Sequence, residues 1–97
     1  MAQTARSGSF AETQFASAAT SAAVVAANGK RVKLTIANHS TTLTLYIRLG
    51  ATAAVVGQGV PIAPGQLYEE PTGWKGAVQG IWTGDDAAVA TVIEHLP

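Results

Sequence analysis

Apolar and polar residues alternate in two consecutive stretches of the chain, residues 31–38 and residues 42–49. Each stretch carries aliphatic side chains at every second position, and a period of two is typical of a β-strand with one buried face. The aliphatic residues are Val32, Leu34 and Ile36 in the first stretch and Leu43, Leu45, Ile47 and Leu49 in the second. Turn-forming residues separate the two stretches, so the pattern predicts a β-hairpin.

A third strand is predicted before this hairpin. Residues 22–27 are all apolar and are followed by Asn28-Gly29, a dipeptide that favours a two-residue hairpin turn. We therefore expect residues 22–27 to pair with residues 32–36. Together with the hairpin they would form a three-stranded meander.

The second half of the chain consists of short apolar stretches between Gly and Pro residues. Pro61 places its strand at a sheet edge because proline has no N–H to donate, and Gly80 indicates a bulge or a close backbone approach. Pro64-Gly65 has the residue types of a β-turn. The last strand is apolar or small on both faces, which predicts a central position. The predicted strands are residues 51–56, 60–62, 66–70, 77–82 and 87–95.

These strands predict an all-β fold. Seven or eight short antiparallel strands at intervals of about 8 to 12 residues are typical of a single small β-sandwich or barrel, here jelly-roll-like. A chain of 97 residues with 47% apolar content has enough apolar residues for one core. We assign that domain to residues 22–97.

The N-terminal residues 1–21 differ from the rest in composition. They are rich in Ala, Ser, Thr and Gln, and Phe10 and Phe15 are their large aromatic residues. We predict a flexible, extended arm that becomes ordered on a partner, with these two phenylalanines as anchors. A disordered terminus and a short helix over residues 10–19 are the alternatives.

The composition argues against nucleic acid and membranes as partners and favours other proteins. Six basic and six acidic residues give no net charge, so no overall field attracts nucleic acid or an anionic membrane. The longest strictly apolar run, residues 22–27, is far shorter than the about 20 residues of a membrane span. The charged fraction of 12% is about half the usual value, which favours a protein that works within a multi-subunit assembly.

The chemistry-bearing residues do not form a catalytic or metal-binding pattern. The chain has no cysteine, and His39 and His95 lack the spacing of metal ligands. The neighbouring acids Glu69 and Glu70 point to opposite faces of a strand, and the Asp-Asp pair at 85–86 fits a turn. We predict no enzyme activity, no cofactor and no metal.

Aromatic residues are the remaining candidates for binding. Trp74 lies between Gly73 and Gly76 in a predicted loop. We predict that Trp74, like Phe10 and Phe15, contacts a partner. A carbohydrate-binding module is the alternative, with Trp74, Tyr46 or Trp82 stacking on a glycan. Trp82 ends an apolar strand and is predicted to lie in the core.

Five short sequence patterns follow one another between residues 31 and 94. They are an Arg-x-x-Leu-x-Ile-x-Asn strand at 31–38, a Leu-Tyr-Ile strand ending in Gly at 45–50, Pro-Gly at 64–65, Gly-Ala-Val at 76–78 and a terminal strand rich in Val. In this order the chain resembles a group of small virion proteins of tailed bacteriophages.

The resemblance implies a structural role without enzyme activity. Members of that group are β-sandwich or small-barrel accessory subunits, among them capsid decoration or cement proteins. It therefore implies a head decoration protein, made in the host cytoplasm, that sits on the virion surface, binds the major capsid protein and forms a homotrimer. A tail, fibre or head-to-tail component of such a particle is the alternative.

Overall fold

The computed structural model describes residues 9–85 and 87–97, and all the regular secondary structure in this part of the chain is β-strand. The prediction of an all-β domain is confirmed. The strands are β1 (Ser9–Ala16), β2 (Ala22–Val25), β3 (Lys33–Asn38), β4 (Leu45–Leu49), β5 (Val60–Ile62), β6 (Leu67–Glu70), β7 (Val78–Trp82) and β8 (Val89–Leu96).

The strands form two four-stranded antiparallel sheets, with the orders β1-β8-β3-β6 and β2-β7-β4-β5. β1 pairs with β8, β2 with β7, β3 with β6 and β4 with β5, as in one long hairpin whose tip is the β4–β5 connection. Wrapping of this hairpin brings β3 beside β8 and β4 beside β7. This is the jelly-roll arrangement, a β-sandwich of the predicted kind.

The core lies between the inner faces of the two sheets. Leu34 and Ile36 from β3 and Leu45 and Ile47 from β4 are completely buried. Gly80 leaves space for neighbouring side chains of both sheets, because a Cβ at this position would lie 2.5 Å from Cγ2 of Val24 and 3.1 Å from Cε2 of Phe15. The close backbone approach predicted for this glycine is wrong, because the atoms nearest to that position belong to side chains. The alternative, a bulge, is seen only in the partner strand β2, whose register shifts between Ala23 and Val25. The other core residues are Phe15, Val24, Leu43, Ile62, Val78, Trp82, Ala90 and Val92.

The predicted hairpin of residues 31–38 and 42–49 is wrong, because β3 and β4 lie in different sheets. The alternation correctly indicates that each strand buries its aliphatic face. The two faces meet each other across the core instead of lying side by side in one sheet.

The predicted meander is wrong for a related reason. Asn28 begins the turn: its carbonyl accepts the N–H of Arg31 at 3.1 Å, and its Oδ1 accepts the N–H of Lys30 at 3.0 Å. This turn carries the chain from one sheet to the other. β2 therefore pairs with β7 and β3 pairs with β6 and β8.

Several local predictions hold. β5 with Pro61 is an edge strand, and β8 is central between β1 and β3. Pro64-Gly65 forms a turn in which the N–H of Gln66 donates to the carbonyl of Ala63 at 2.9 Å, with Gly65 at a φ of 74°. The strand predicted at residues 51–56 is wrong, because these residues belong to the β4–β5 connection.

The predicted arm, residues 1–21, contains the first strand of the structure. Every residue of β1 has a partner in β8, from Ser9 opposite Leu96 to Ala16 opposite Val89. The alternative of a helix over residues 10–19 is wrong. Residues 1–8 of the predicted arm lie outside the described residues. β1 is an integral part of the first sheet, so the sandwich begins before residue 22.

Candidate functional site

One end of the sandwich is built around a buried arginine. The connections 26–32 and 71–77 meet there, next to the end of β4 and the C-terminal part of β8. We call this region the Arg31 end. It also carries the start of β1, because Phe10 lies opposite His95 near the end of β8.

Arg31 holds these segments together. Its side chain is 0% exposed, and Nε donates to Oε2 of Glu94 at 2.9 Å. One terminal nitrogen donates to the carbonyls of Trp74 and Gly76, both at 3.0 Å, and the other donates to the carbonyl of Ala26 at 2.7 Å. A buried guanidinium is tolerated only when it is paired and its donors are satisfied, and this one links both connections to β8.

Backbone contacts brace the same end. The N–H of Asn28 donates to the carbonyl of Lys75 at 2.8 Å, and the N–H of Gly50 donates to the carbonyl of Ala77 at 2.7 Å. The Lys75 ammonium in turn donates to the carbonyl of Arg31. Hydrogen bonds thus join the β2–β3 connection, the β6–β7 connection and the end of β4.

Glu70 organises the loop that carries Trp74. Its carboxylate is buried and accepts the N–H groups of Thr72 at 2.8 Å and Trp74 at 2.9 Å, together with the hydroxyl of Thr72 at 2.7 Å. Burial opposes ionisation, but the hydrogen bonds from Trp74, Thr72 and Gly73 prevail and lower the pKa of Glu70. The ionised carboxylate therefore stabilises the loop at neutral pH.

We expect the Glu70→Gln variant to be less stable than the wild type at pH 7 by about 1–3 kcal/mol, because the amide is a weaker acceptor and brings an unneeded donor. Because the folded state lowers the pKa of Glu70, its stabilising effect is complete above the unfolded pKa. The effect declines below the unfolded pKa and is lost as the pH falls through the lower pKa of the folded state. Urea unfolding at several pH values should show the two proteins converging in acid. Glu69→Gln is the control, since Glu69 is exposed; equal losses in both variants would contradict this role.

Trp74 lies at the rim of the core with a fixed ring. Its Nε1–H donates to the carbonyl of Ala77 at 3.0 Å, and its ring covers Gly76, where a Cβ would lie 2.5 Å from Cζ2. The side chain packs against the core and remains partly exposed. Part of a fixed aromatic side chain is therefore accessible at this end.

Large exposed apolar side chains lie at the Arg31 end, as Trp74 does. Phe10 is 70% exposed and Val32 is 51% exposed, and Leu49 is also exposed. The alternating pattern predicted that Val32 and Leu49 face the core. Both lie at the margin of a strand, where the opposite sheet no longer covers them, so their position along the strand decides their exposure.

The predicted anchors of the arm have different environments. Phe10 is exposed and makes an edge-to-face contact with His95, with ring centroids 4.9 Å apart. Phe15 lies in the core, where its ring stacks on Trp82 at a centroid distance of 6.2 Å. Phe15 is thus enclosed by its own domain and is not available to a partner in this structure. Phe10 and Trp74 lie at the same end of the molecule.

The three aromatic residues considered for glycan binding do not share a surface. Trp82 is in the core, as predicted, and Tyr46 lies opposite Pro61 and Ile81 in the middle of the second sheet. Trp74 lies at the Arg31 end. Burial removes Trp82 as a stacking residue, whereas Trp74 and Tyr46 are both partly exposed.

The histidines and acids are engaged in local contacts. His39 and His95 lie 2.9 Å and 3.1 Å from the hydroxyl groups of Thr91 and Thr35, and Glu69 pairs with a lysine at 3.2 Å. Within residues 9–85 and 87–97, no three His, Asp or Glu side chains are grouped as metal ligands. Asp86, of the predicted Asp-Asp turn, lies outside the described residues. The described part of the chain also contains no helix long and apolar enough to cross a membrane.

The β4–β5 connection folds back over the second sheet: buried Ala54 donates its N–H to Oγ of Ser21 at 2.8 Å, and Arg48 donates to the carbonyl of Ala53 at 3.4 Å. The chain's own β4–β5 connection therefore lies against part of the second sheet.

Comparison of the chain with models of protein families, with curated proteins and with solved structures found no match. The resemblance to phage virion proteins thus rests on the residue pattern alone. The four residues of its first motif, Arg31, Leu34, Ile36 and Asn38, are all buried. Asn38 donates to the carbonyls of Leu43 at 2.9 Å and Ile62 at 2.8 Å. The motif therefore describes how this domain is held together.

Proposed function

We propose that this chain is a head decoration protein of a tailed bacteriophage, which binds the major capsid protein shell through the Arg31 end. The observation that carries the proposal is the exposure of Val32 and Leu49 at the same end of the sandwich as the fixed ring of Trp74. The resemblance supports the type of particle. A charged fraction of 12% supports a subunit that works in dense contact with other proteins.

The physical advantage of this end is its pre-organisation. Binding costs less conformational entropy when the contact residues are already fixed, and Arg31 and Glu70 fix the two connections that present Val32 and Trp74. Apolar contact contributes roughly 25 cal/mol for each Å² removed from water. A patch of this kind gives a modest affinity per site, and a shell offers many identical sites.

We expect Val32→Asp to abolish or strongly weaken attachment to shells, because the interface would have to desolvate a carboxylate without a partner. The measurement is co-sedimentation of purified protein with shells that lack it, from the phage that encodes the chain. Leu67→Asp is the matched control, since Leu67 is 59% exposed and lies on β6 at the opposite end of the first sheet. Both variants should unfold at the wild-type urea concentration.

The outcomes separate the parts of the proposal. If only Leu67→Asp loses attachment, the protein decorates shells through the opposite end and the assignment of the Arg31 end is wrong. If the wild type binds isolated tails and not shells, the chain is a tail component. If it binds neither, the proposed function is overturned.

A further inference from the structure

The outer edge of β1 carries a regular row of unpaired backbone groups. β1 is the last strand of the first sheet, and Ser17 continues its ladder by donating to the carbonyl of Ala88 at 2.8 Å. In an antiparallel pair, hydrogen-bonded and non-hydrogen-bonded residues alternate. Even-numbered residues of β1 therefore direct their N–H and C=O groups away from β8, and no other described strand pairs with them. These residues are Phe10, Glu12, Gln14 and Ala16.

The other edge strands are short or interrupted. β5 has three residues and contains Pro61, β2 has four residues and an irregular register, and β6 has four residues. β1 has eight residues in unbroken register with β8 and contains neither proline nor lysine. Exposed edges normally carry such interruptions because they otherwise pair with another chain. The edge of β1 has the features of a pairing surface.

We propose that β1 pairs antiparallel with β1 of a second copy of this chain, about a two-fold axis at Thr13. Phe10 then lies opposite Ala16 of the second copy, and Glu12 lies opposite Gln14. In this register every outward N–H and C=O of residues 10–16 finds a partner in both copies. The first sheet of one copy and the first sheet of the other then form one continuous sheet across the axis.

The charge of Glu12 and the position of Phe10 favour an axis at Thr13 over an axis at Glu12 or Gln14. A shift of the axis to Glu12 places the two Glu12 carboxylates directly opposite each other, which is unfavourable. A shift to Gln14 leaves Phe10 beyond the paired region. With the axis at Thr13, each Glu12 carboxylate faces the amide of Gln14, which can donate a hydrogen bond to it.

The same register covers the most exposed aromatic side chain of the described residues. Phe10, which is 70% exposed, would lie opposite Ala16 of the second copy, and Ala16 is itself next to exposed Val89 in β8. Side chains on adjacent strands of one sheet face are about 5 Å apart and pack together. Because of the two-fold symmetry, this apolar contact of Phe10 with Ala16 and Val89 of the other copy occurs twice in the dimer.

This inference concerns self-association and does not depend on the proposed function. The resemblance implies a homotrimer, whereas the edge of β1 favours a two-fold dimer. A dimer that does not bind shells would leave the inference intact and remove the function. A chain that binds shells as a trimer or a monomer would support the proposed function and overturn the inference of a dimer.

A cysteine at the axis tests the register. The two residues at position 13 would form a non-hydrogen-bonded pair with Cα atoms about 4.5 Å apart, which is within disulfide range. The natural chain has no cysteine, so Thr13→Cys should give a single disulfide-linked dimer under mild oxidation. Ala11→Cys is the matched control on the same strand and face, because its two copies would lie more than about 12 Å apart. Equal cross-linking of both variants, or of neither, would overturn the register.

Charge at position 14 provides a second test that leaves the fold unchanged. Gln14→Lys should tighten the dimer and Gln14→Glu should loosen it, each by a few-fold to about tenfold in Kd at low salt, because Glu12 of the other copy faces this position. Analytical ultracentrifugation would measure the equilibrium between the 9.9 kDa chain and twice that mass. A wild type that is monomeric or trimeric at all concentrations, or a response without opposite signs, would overturn the proposal.

Discussion

Replacement of Arg31 by methionine is expected to destabilise the domain by about 3–5 kcal/mol, the cost of breaking a buried ion pair by removing one partner. Methionine fills much of the space, but it leaves the Glu94 carboxylate without its partner. The carbonyls of Ala26, Trp74 and Gly76 lose their donors as well. Since a small domain has a total stability of about 5–15 kcal/mol, the variant should be unfolded in part at physiological temperature. Urea unfolding followed by tryptophan fluorescence measures the loss.

Two further variants make the test specific. Arg48→Met is the control, because Arg48 is exposed and makes one long contact with the carbonyl of Ala53; its stability should change by less than about 0.5 kcal/mol. Arg31→Lys should recover part of the loss, since an ammonium keeps the charge near Glu94 but lacks the planar fork of donors. An Arg31→Met variant as stable as the wild type would show that the Arg31 end does not depend on the ion pair and hydrogen bonds of Arg31.

Deletion of residues 2–20 is expected to prevent folding. β1 supplies eight paired residues to the first sheet, and Phe15 belongs to the core. Loss of a buried phenylalanine side chain alone costs about 3–5 kcal/mol, and the deletion also strips β8 of one neighbour. Circular dichroism and the cooperativity of thermal unfolding measure the result.

The matched control is deletion of residues 2–8, which retains all the described strands and should still unfold cooperatively. A cooperative transition in the longer deletion would contradict the integral role of β1. The residues 1–21 would then behave as the separable arm that the composition predicts.

Most of the strands after residue 21 could be predicted from the sequence, whereas their partners could not. Alternation in residues 31–38 and 42–49 shows which face of a strand is buried, and this information is the same for a hairpin and for two facing sheets. Asn28-Gly29 favours a tight hairpin, but the side chain of Asn28 stabilises a different turn. Long-range pairing, such as that of β1 with β8, has no local signal in a single sequence.

The composition of the first strand conceals it. β1 contains Ala, Ser, Thr, Gln and Glu around two phenylalanines, so its period of two is carried almost entirely by small or polar side chains. At the edge of a sheet such residues suffice, because only Phe15 reaches the core. The same composition is typical of a flexible segment.

The candidate site was predicted only in part. The flanking glycines indicate that Trp74 lies in a loop, and the structure adds that a buried glutamate fixes this loop. The role of Arg31 could not be predicted, since its acceptors lie between 5 and 63 residues away along the chain. The exposure of Val32 and Leu49 follows from where the sheets end, which alternation does not encode.

Reconstruction by electron cryomicroscopy of shells mixed with the purified protein would test the central claim most directly. We expect one density of jelly-roll size at each equivalent position on the outer surface, oriented with Val32 and Trp74 toward the major capsid protein. Bare shells, or densities in which these two residues face the solvent, would contradict the account.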